Sequence, residues 1–311
     1  MRYRALGKTG MEVSVLSYGA SPLGSVFRDV VESEGIRTVH TALELGINFI
    51  DVSPYYGLTR AEAVLGKALR TVKRERYFLA TKVGRYGAEM KDSDFSAERV
   101  ARSVDESLGR LGVEYVDIIQ CHDIEFGDLR QIVEETIPAL RKVVAAGKAR
   151  FVGITGLPLK VFRQVIEQAA VDTILSYCHY SLNDSALGGM LSYLREKGVG
   201  VISASPLSMG LLSNREPPAW HPAPAEIRRA CAAAAGCARA RGADIAKLAI
   251  QFAVAEPRIA TTLVGTASAE NIANNVQWMD EPMDVELLAE VERILSPVHN
   301  RTWASGRSEN N

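Results

Sequence analysis

Residues 77–122 contain YFLATK (77–82), SAERVARSVDESLGRLG (96–112) and VDIIQCH (116–122), joined by residues 83–95 and 113–115. The first and third runs are rich in aromatic and β-branched residues and read apolar on both sides. That is the pattern of parallel strands covered by helices. The middle run is amphipathic at helical spacing. Ser96 and Glu98 mark its start and Gly112 its end, the usual chemistry of an N-cap and a left-handed C-cap.

The same alternation extends in both directions. Further strands are expected at VSVLSYG (13–19), INFID (47–51), ARFVGIT (149–155), TILSY (173–177), GVISAS (200–205) and TTLVG (261–265). Helices are expected at 33–46, capped by Ser33 and closed by Gly46, and at 128–148, where Pro138 should bend or restart the helix. Eight strand–helix repeats predict an α/β fold, a closed parallel (β/α)8 barrel, with residues 1–311 as one domain. The alternative is an open doubly wound sheet. It is weakened because no GxGxxG follows any strand, and GVGVIS (198–203) lacks the third glycine.

Three segments fall outside the repeat. RALGKTGMEVS (4–14) reads as a β-hairpin turning at KTG and capping the barrel bottom. SNREPPAWHPAP (213–224) is a proline-rich loop of the kind that forms lids. The polar tail after Pro297 is expected to fray.

The 311 residues carry 36 basic and 37 acidic side chains, a formal net charge of −1, which offers no basic surplus for nucleic acid. No apolar run reaches membrane-spanning length, and MRYRALGKTGMEVS has none of the apolar core of a secretory signal, so a cytoplasmic location is expected. The four cysteines form no CxxC pair or metal-spaced cluster, so neither a metal nor a disulfide is expected. With no coiled-coil heptads, the chain is expected to be a monomer or weak homodimer.

Chemistry gathers at the ends of three successive strands. The second strand ends in Asp51, the third in Lys82 and the fourth in His122, each about one strand–helix unit from the next. In a barrel these ends meet on one rim, where active sites are built. Singly, each residue reads equally well as an ion-pair partner or core hydrogen bonder; jointly they favour a site. Tyr56 follows Asp51 closely in DVSPYYG (51–57), with Tyr55 as the competing tyrosine. A charged Lys82, kept so by Asp51, is expected to lower the Tyr56 pKa, and His122 is expected to orient a substrate oxygen.

The chain resembles the aldo-keto reductases along nearly its whole length. The resemblance rests on RALGKTGMEVS (4–14), DVSPYYG (51–57), ATK (80–82), VDIIQCH (116–122), SASPLSMGLL (203–212) and LVGTASAENIANN (263–275). It implies a (β/α)8 barrel with a catalytic tetrad of Asp51, Tyr56, Lys82 and His122 and a nicotinamide dinucleotide extended across the rim. Within the family, CHDIEFGDLRQIVEETIPAL (121–140), FVGITGLPL (151–159), ILSYCHYSLNDS (174–185), PPAWHP (217–222) and HNRTWASG (299–306) are similar to plant-type sugar dehydrogenases. That implies oxidation of a small-molecule sugar with NAD.

The implied cofactor footprint begins at Ala20 and Ser21. Thr155 and Gly156 stand where many members have Ser-Asn, and Ser176 or Tyr177 where many have Gln. Ser205, Leu207 and Ser208 would lie along the pyrophosphate, and Gly265, Thr266, Ser268, Asn271 and Asn275 at the adenosine end. A carbonyl reductase using NADPH would employ the same tetrad in reverse. A cofactor-binding regulatory subunit is a third reading, which the intact tetrad opposes.

Overall fold

The computed structural model describes residues 1–311. The chain opens with an antiparallel hairpin, β1 (Tyr3–Ala5) and β2 (Glu12–Ser14). The barrel strands follow: β3 (Leu16–Gly19), β4 (Phe49–Asp51), β5 (Phe78–Val83), β6 (Val116–Cys121), β7 (Ala149–Gly156), β8 (Thr173–Tyr177), β9 (Gly200–Ala204) and β10 (Thr261–Val264). All are parallel, and β10 pairs with both β9 and β3 to close the barrel.

The helices on the outside are α1 (Glu32–Glu44), α2 (Arg60–Leu69), α3 (Ala97–Leu111), α4 (Leu129–Gln131), α5 (Ile137–Ala145), α6 (Leu159–Ile166), α7 (Leu191–Lys197), α8 (Ala225–Ala240), α9 (Ile245–Ala255), α10 (Ala269–Trp278) and α11 (Val285–Leu295). Helix α3 has the expected caps: Ser96 Oγ accepts from Arg99 N, and Gly112 is left-handed with φ 69°. Helix α1 departs from expectation. It starts at Glu32 without a side-chain cap, so Ser33 lies inside its first turn. Helix α5 restarts at Ile137 with Pro138 in its first turn, as expected for a residue that lacks an N–H. A π-turn over Ile132–Thr136 joins α4 to α5, which absorbs the hydrogen bond that proline cannot donate.

Strand alternation decides what fills the barrel. Phe49, Ala80, Ile118, Leu175, Ile202 and Leu263 form one buried cluster inside it, completed from below by Leu6, Met11 and Val13 of the hairpin. Gly7 seats that plug at the N-terminal end of β9, because a Cβ there would stand 2.4 Å from Gly200 N. One step further up on the same inward parity stand Asp51 and Lys82, with Gln120 and His122 above Ile118. The apolar layers therefore end where the ionisable residues begin.

A second close approach lies at the rim. A Cβ on Gly57 (φ +62°) would sit 2.2 Å from Gly24 O, and one on Gly24 would sit 2.6 Å from the Tyr56 carbonyl. The loop after β3 and the loop carrying Tyr56 thus touch backbone to backbone.

The tail does not fray as its composition suggests. Asn310 is buried, and its Nδ2 donates to the carbonyls of Glu125 and Gly127 at 2.9 and 3.0 Å. Arg307 N also donates to Glu125 O, at 2.9 Å. The proline-rich loop reaches across the rim, where Trp220 meets Phe27 at 5.6 Å and His221 packs edge-on against Trp303 at 5.3 Å.

Candidate active site

Lys82 is the hub of the rim. Its buried Nζ donates to Asp51 Oδ1, to the Val52 carbonyl at 2.9 Å and to Tyr56 OH at 3.2 Å. Asp51 is held from the other side by Gln120 Nε2 at 2.7 Å. Burial works against the Lys82 charge, but Asp51 and Tyr56 more than offset it, and the ammonium titrates above its ordinary value. Of the two tyrosines, Tyr56 makes this contact with Lys82. Tyr55 lies instead over the Arg85 guanidinium at 4.3 Å.

The expected lowering of the Tyr56 pKa is not found. Burial pushes the phenol up to about 12, and the pull of Lys82 is further opposed by Asp51 and Asp123. Desolvation of the phenolate outweighs one ammonium because that ammonium is already shared with a carboxylate. Burial also pushes His122 down to about 3, so it is neutral, although Asp123 pulls the other way. Its Nδ1 lies 3.1 Å from Ser53 Oγ, and its Nε2 lies 3.6 Å from Asp123 Oδ2. A protonated phenol backed by an ammonium, beside a neutral imidazole, can exchange a proton with one substrate oxygen while a second donor holds it.

A further polar layer surrounds this core. Asp123, left-handed at φ 46°, pairs with Arg85 Nη1 at 2.5 Å, and Arg85 also lies 3.7 Å from the Phe126 ring centre. Buried Glu125 accepts from Leu157 N at 3.1 Å and from Ser305 Oγ at 2.9 Å. Burial, aided by the Asp123 carboxylate, raises Glu125 to about 8. Sequence reasoning passed over Arg85, Asp123, Glu125, Gln120 and Ser53. Gln120 and Ser53 carried a visible signal, each lying two residues from a singled-out residue, His122 and Asp51, and so on the same face of an extended chain.

The residues of the expected cofactor footprint divide into two groups. Ala20 is buried and donates its N–H to Asp51 O at 2.8 Å, with half-buried Ser21 next to it. Thr155 is engaged within the protein: its Oγ1 accepts from Asp123 N at 2.8 Å and donates to Asp123 Oδ1 at 3.0 Å. Beside Gly156, the Glu125 Oε2 atom stands 2.7 Å from where a Cβ would be. Ser176 is buried on the outward parity of β8, away from the barrel interior, whereas Tyr177 shares the inward parity of Leu175. The structure therefore sets Ser176 apart from the rim.

The second group follows the rim. Ser205 and Ser208 are left-handed (φ 60° and 48°), Leu207 between them is at φ −90° and ψ 14°, and Ser208 Oγ is buried without a partner. Exposed Gly265 leads to Thr266, whose Oγ1 accepts from Ser268 N at 3.1 Å. Ser268 in turn caps α10 through Asn271 N, and Asn275 is buried one turn later. Alternating right- and left-handed backbone is the geometry that gathers amide N–H groups around an anion. Together with the orphaned Ser208 hydroxyl, it fits a dinucleotide's pyrophosphate.

Comparison with known proteins agrees with this geometry. Residues 15–296 match the model of the aldo/keto reductase family, and the chain belongs to that family. It is an oxidoreductase, and the family implies a nicotinamide cofactor. It is 54% identical to the L-galactose dehydrogenase of Arabidopsis thaliana, over 99% of this chain and 98% of that one. It is 31% identical to the D-arabinose 1-dehydrogenase of Saccharomyces cerevisiae, over 94% of each. Among solved structures, the aldo-keto reductase AKR11C1 from Bacillus halodurans (holo form) superposes with a TM-score of 0.79 at 26% identity. That match covers 100% of this chain and 99% of the other. No helix is long and apolar enough to cross a membrane.

Proposed function

We propose that the protein oxidises an aldose at its anomeric carbon, with L-galactose as the sugar and its aldonolactone as the product. The observation that supports the chemistry is the Lys82 ammonium reaching both Asp51 and the Tyr56 hydroxyl. The identity of 54% over nearly the whole length of L-galactose dehydrogenase supports the sugar. When bound, a nicotinamide dinucleotide supplies the acceptor for the anomeric hydride. Tyr56 takes the proton of the anomeric hydroxyl, and Lys82 stabilises the phenolate form that can accept it. His122, being neutral, donates a hydrogen bond that holds the same oxygen. Ala20, Ser21, Ser205, Leu207, Ser208, Gly265, Thr266, Ser268, Asn271 and Asn275 would hold the dinucleotide along the rim, with Thr155 and Gly156 flanking it.

The test is a steady-state screen of L-galactose, L-fucose, D-arabinose and simple aldehydes. L-galactose is expected to be oxidised most efficiently, with L-fucose tolerated as its deoxy analogue. Hydroxyl-reading sites reject analogues that leave buried polar groups unpaired. If benzaldehyde is reduced far more efficiently than any sugar is oxidised, the protein is a carbonyl reductase instead.

The cofactor reading is NAD. The 2′-phosphate of NADP needs a basic partner, and TTLVGTASAENIANN (261–275) contains no Lys or Arg. Lys247, the nearby candidate on α9, is ion-paired with Glu281. Catalytic efficiency at one fixed sugar concentration should favour NAD by about tenfold or more, the worth of one charge-assisted hydrogen bond. An NADP value equal to or above that of NAD would refute this reading.

A further inference from the structure

We propose that Ser53 is a positioning residue: its hydroxyl donates to Nδ1 of His122 and so fixes the imidazole as the Nε2–H tautomer, with that N–H turned toward the substrate oxygen. The proposal rests on the reading of His122 as the partner of that oxygen. Ser53 follows Asp51 by two residues and is fully buried. Its Oγ makes two contacts. It accepts from Tyr55 N at 3.1 Å, and it lies 3.1 Å from His122 Nδ1.

The count of protons decides the direction of the second contact. A serine hydroxyl has one hydrogen and two lone pairs. The amide of Tyr55 occupies one lone pair. If Nδ1–H donated into the other, the Ser53 hydrogen would be buried with no acceptor, since no other partner lies within reach. If Ser53 donates to Nδ1, every group is satisfied. Nδ1 is then the acceptor, and the single hydrogen of a neutral imidazole sits on Nε2.

The surroundings of Nε2 agree. Asp123 Oδ2 is 3.6 Å away, too far for a hydrogen bond but on the side where a carboxylate favours an N–H. The rings of Tyr55 and Tyr56 meet the imidazole edge-on at 5.5 and 5.8 Å and limit its rotation. Burial keeps the ring uncharged near neutrality. Without a fixed tautomer, part of the population would present a bare lone pair to the substrate oxygen, which cannot hold it.

The experiment is nitrogen-15 spectroscopy of the full-length protein labelled on its histidine rings. The chain has five histidines, and His122→Gln identifies the His122 signals. The wild type is expected to show an unprotonated Nδ1 and a protonated Nε2. Ser53→Ala should give a mixture of both tautomers and a kcat lower by about tenfold, the worth of one hydrogen bond, with the KM for NAD unchanged. Ser53→Thr, which retains the hydroxyl, should restore the single tautomer. A merely structural role would lower the melting temperature of Ser53→Ala and leave the tautomer alone. A wild-type Nδ1–H signal, or a pure Nε2–H signal in Ser53→Ala, overturns the proposal. If Ser53→Ala does not fold, the wild-type spectrum decides on its own. Failure to oxidise any sugar while His122 holds the Nε2–H tautomer counts against the proposed activity and leaves the role of Ser53 standing.

Discussion

Turnover in Tyr56→Phe falls by roughly 10²–10⁴-fold, the usual contribution of a general acid–base, while cofactor affinity changes little. The substitution removes the proton carrier and keeps the ring, whose edge packs against His122. Tyr55→Phe is the control, because Tyr55 faces Arg85 and not Lys82. The wild-type pH profile carries the same information. Oxidation needs the phenolate, and burial holds the phenol near 12. Below that value the phenolate population grows about tenfold per pH unit. Oxidation efficiency should therefore rise with pH between about 6 and 9, and reduction, which uses the phenol, should stay level. Near-wild-type turnover in Tyr56→Phe, or an oxidation profile flat across that range, would remove Tyr56 from its assigned role.

Lys82→Met is expected to abolish activity and also to destabilise the fold by about 3–5 kcal/mol, the cost of breaking a buried ion pair from one side. Asp51 is left with Gln120 alone in a dry interior. Adding Asp51→Asn removes the orphaned charge. The double variant should recover most of the stability, as read by denaturant titration, without recovering turnover. If the double variant is as unstable as Lys82→Met, the ion-pair account is wrong. If Lys82→Met remains active, the account of Tyr56 fails as well.

The barrel was legible because parallel strands covered by helices are written locally, as short apolar runs between capped amphipathic helices. YFLATK, SAERVARSVDESLGRLG and VDIIQCH appear in the structure within a residue or so of where they were read. Asp51, Lys82 and His122 were legible for the same reason, since each marks the end of such a run.

What escaped was not local. Glu125 is held by Ser305, Arg307 and Asn310, partners 180 or more positions away and joined largely through backbone carbonyls, which leave no side-chain pattern. The tail therefore read as frayed. The direction of the Tyr56 shift was misjudged because Lys82 is visible in the sequence and the burial of the phenol is not. The choice between Ser176 and Tyr177 depends on strand parity, which becomes certain only once Leu175 is seen inside the barrel.

The contact between Gly24 and Gly57 has a consequence for descent. Each position sits where the other's backbone already is, so neither can gain even a methyl group while the other stays in place. A lineage altering one must first shift a whole loop, and that loop carries Tyr56. The two glycines are thus sterically coupled, and a side chain at either one displaces the other's loop. The junction thereby fixes the loop of Tyr56 to the loop after β3 without using a single side chain.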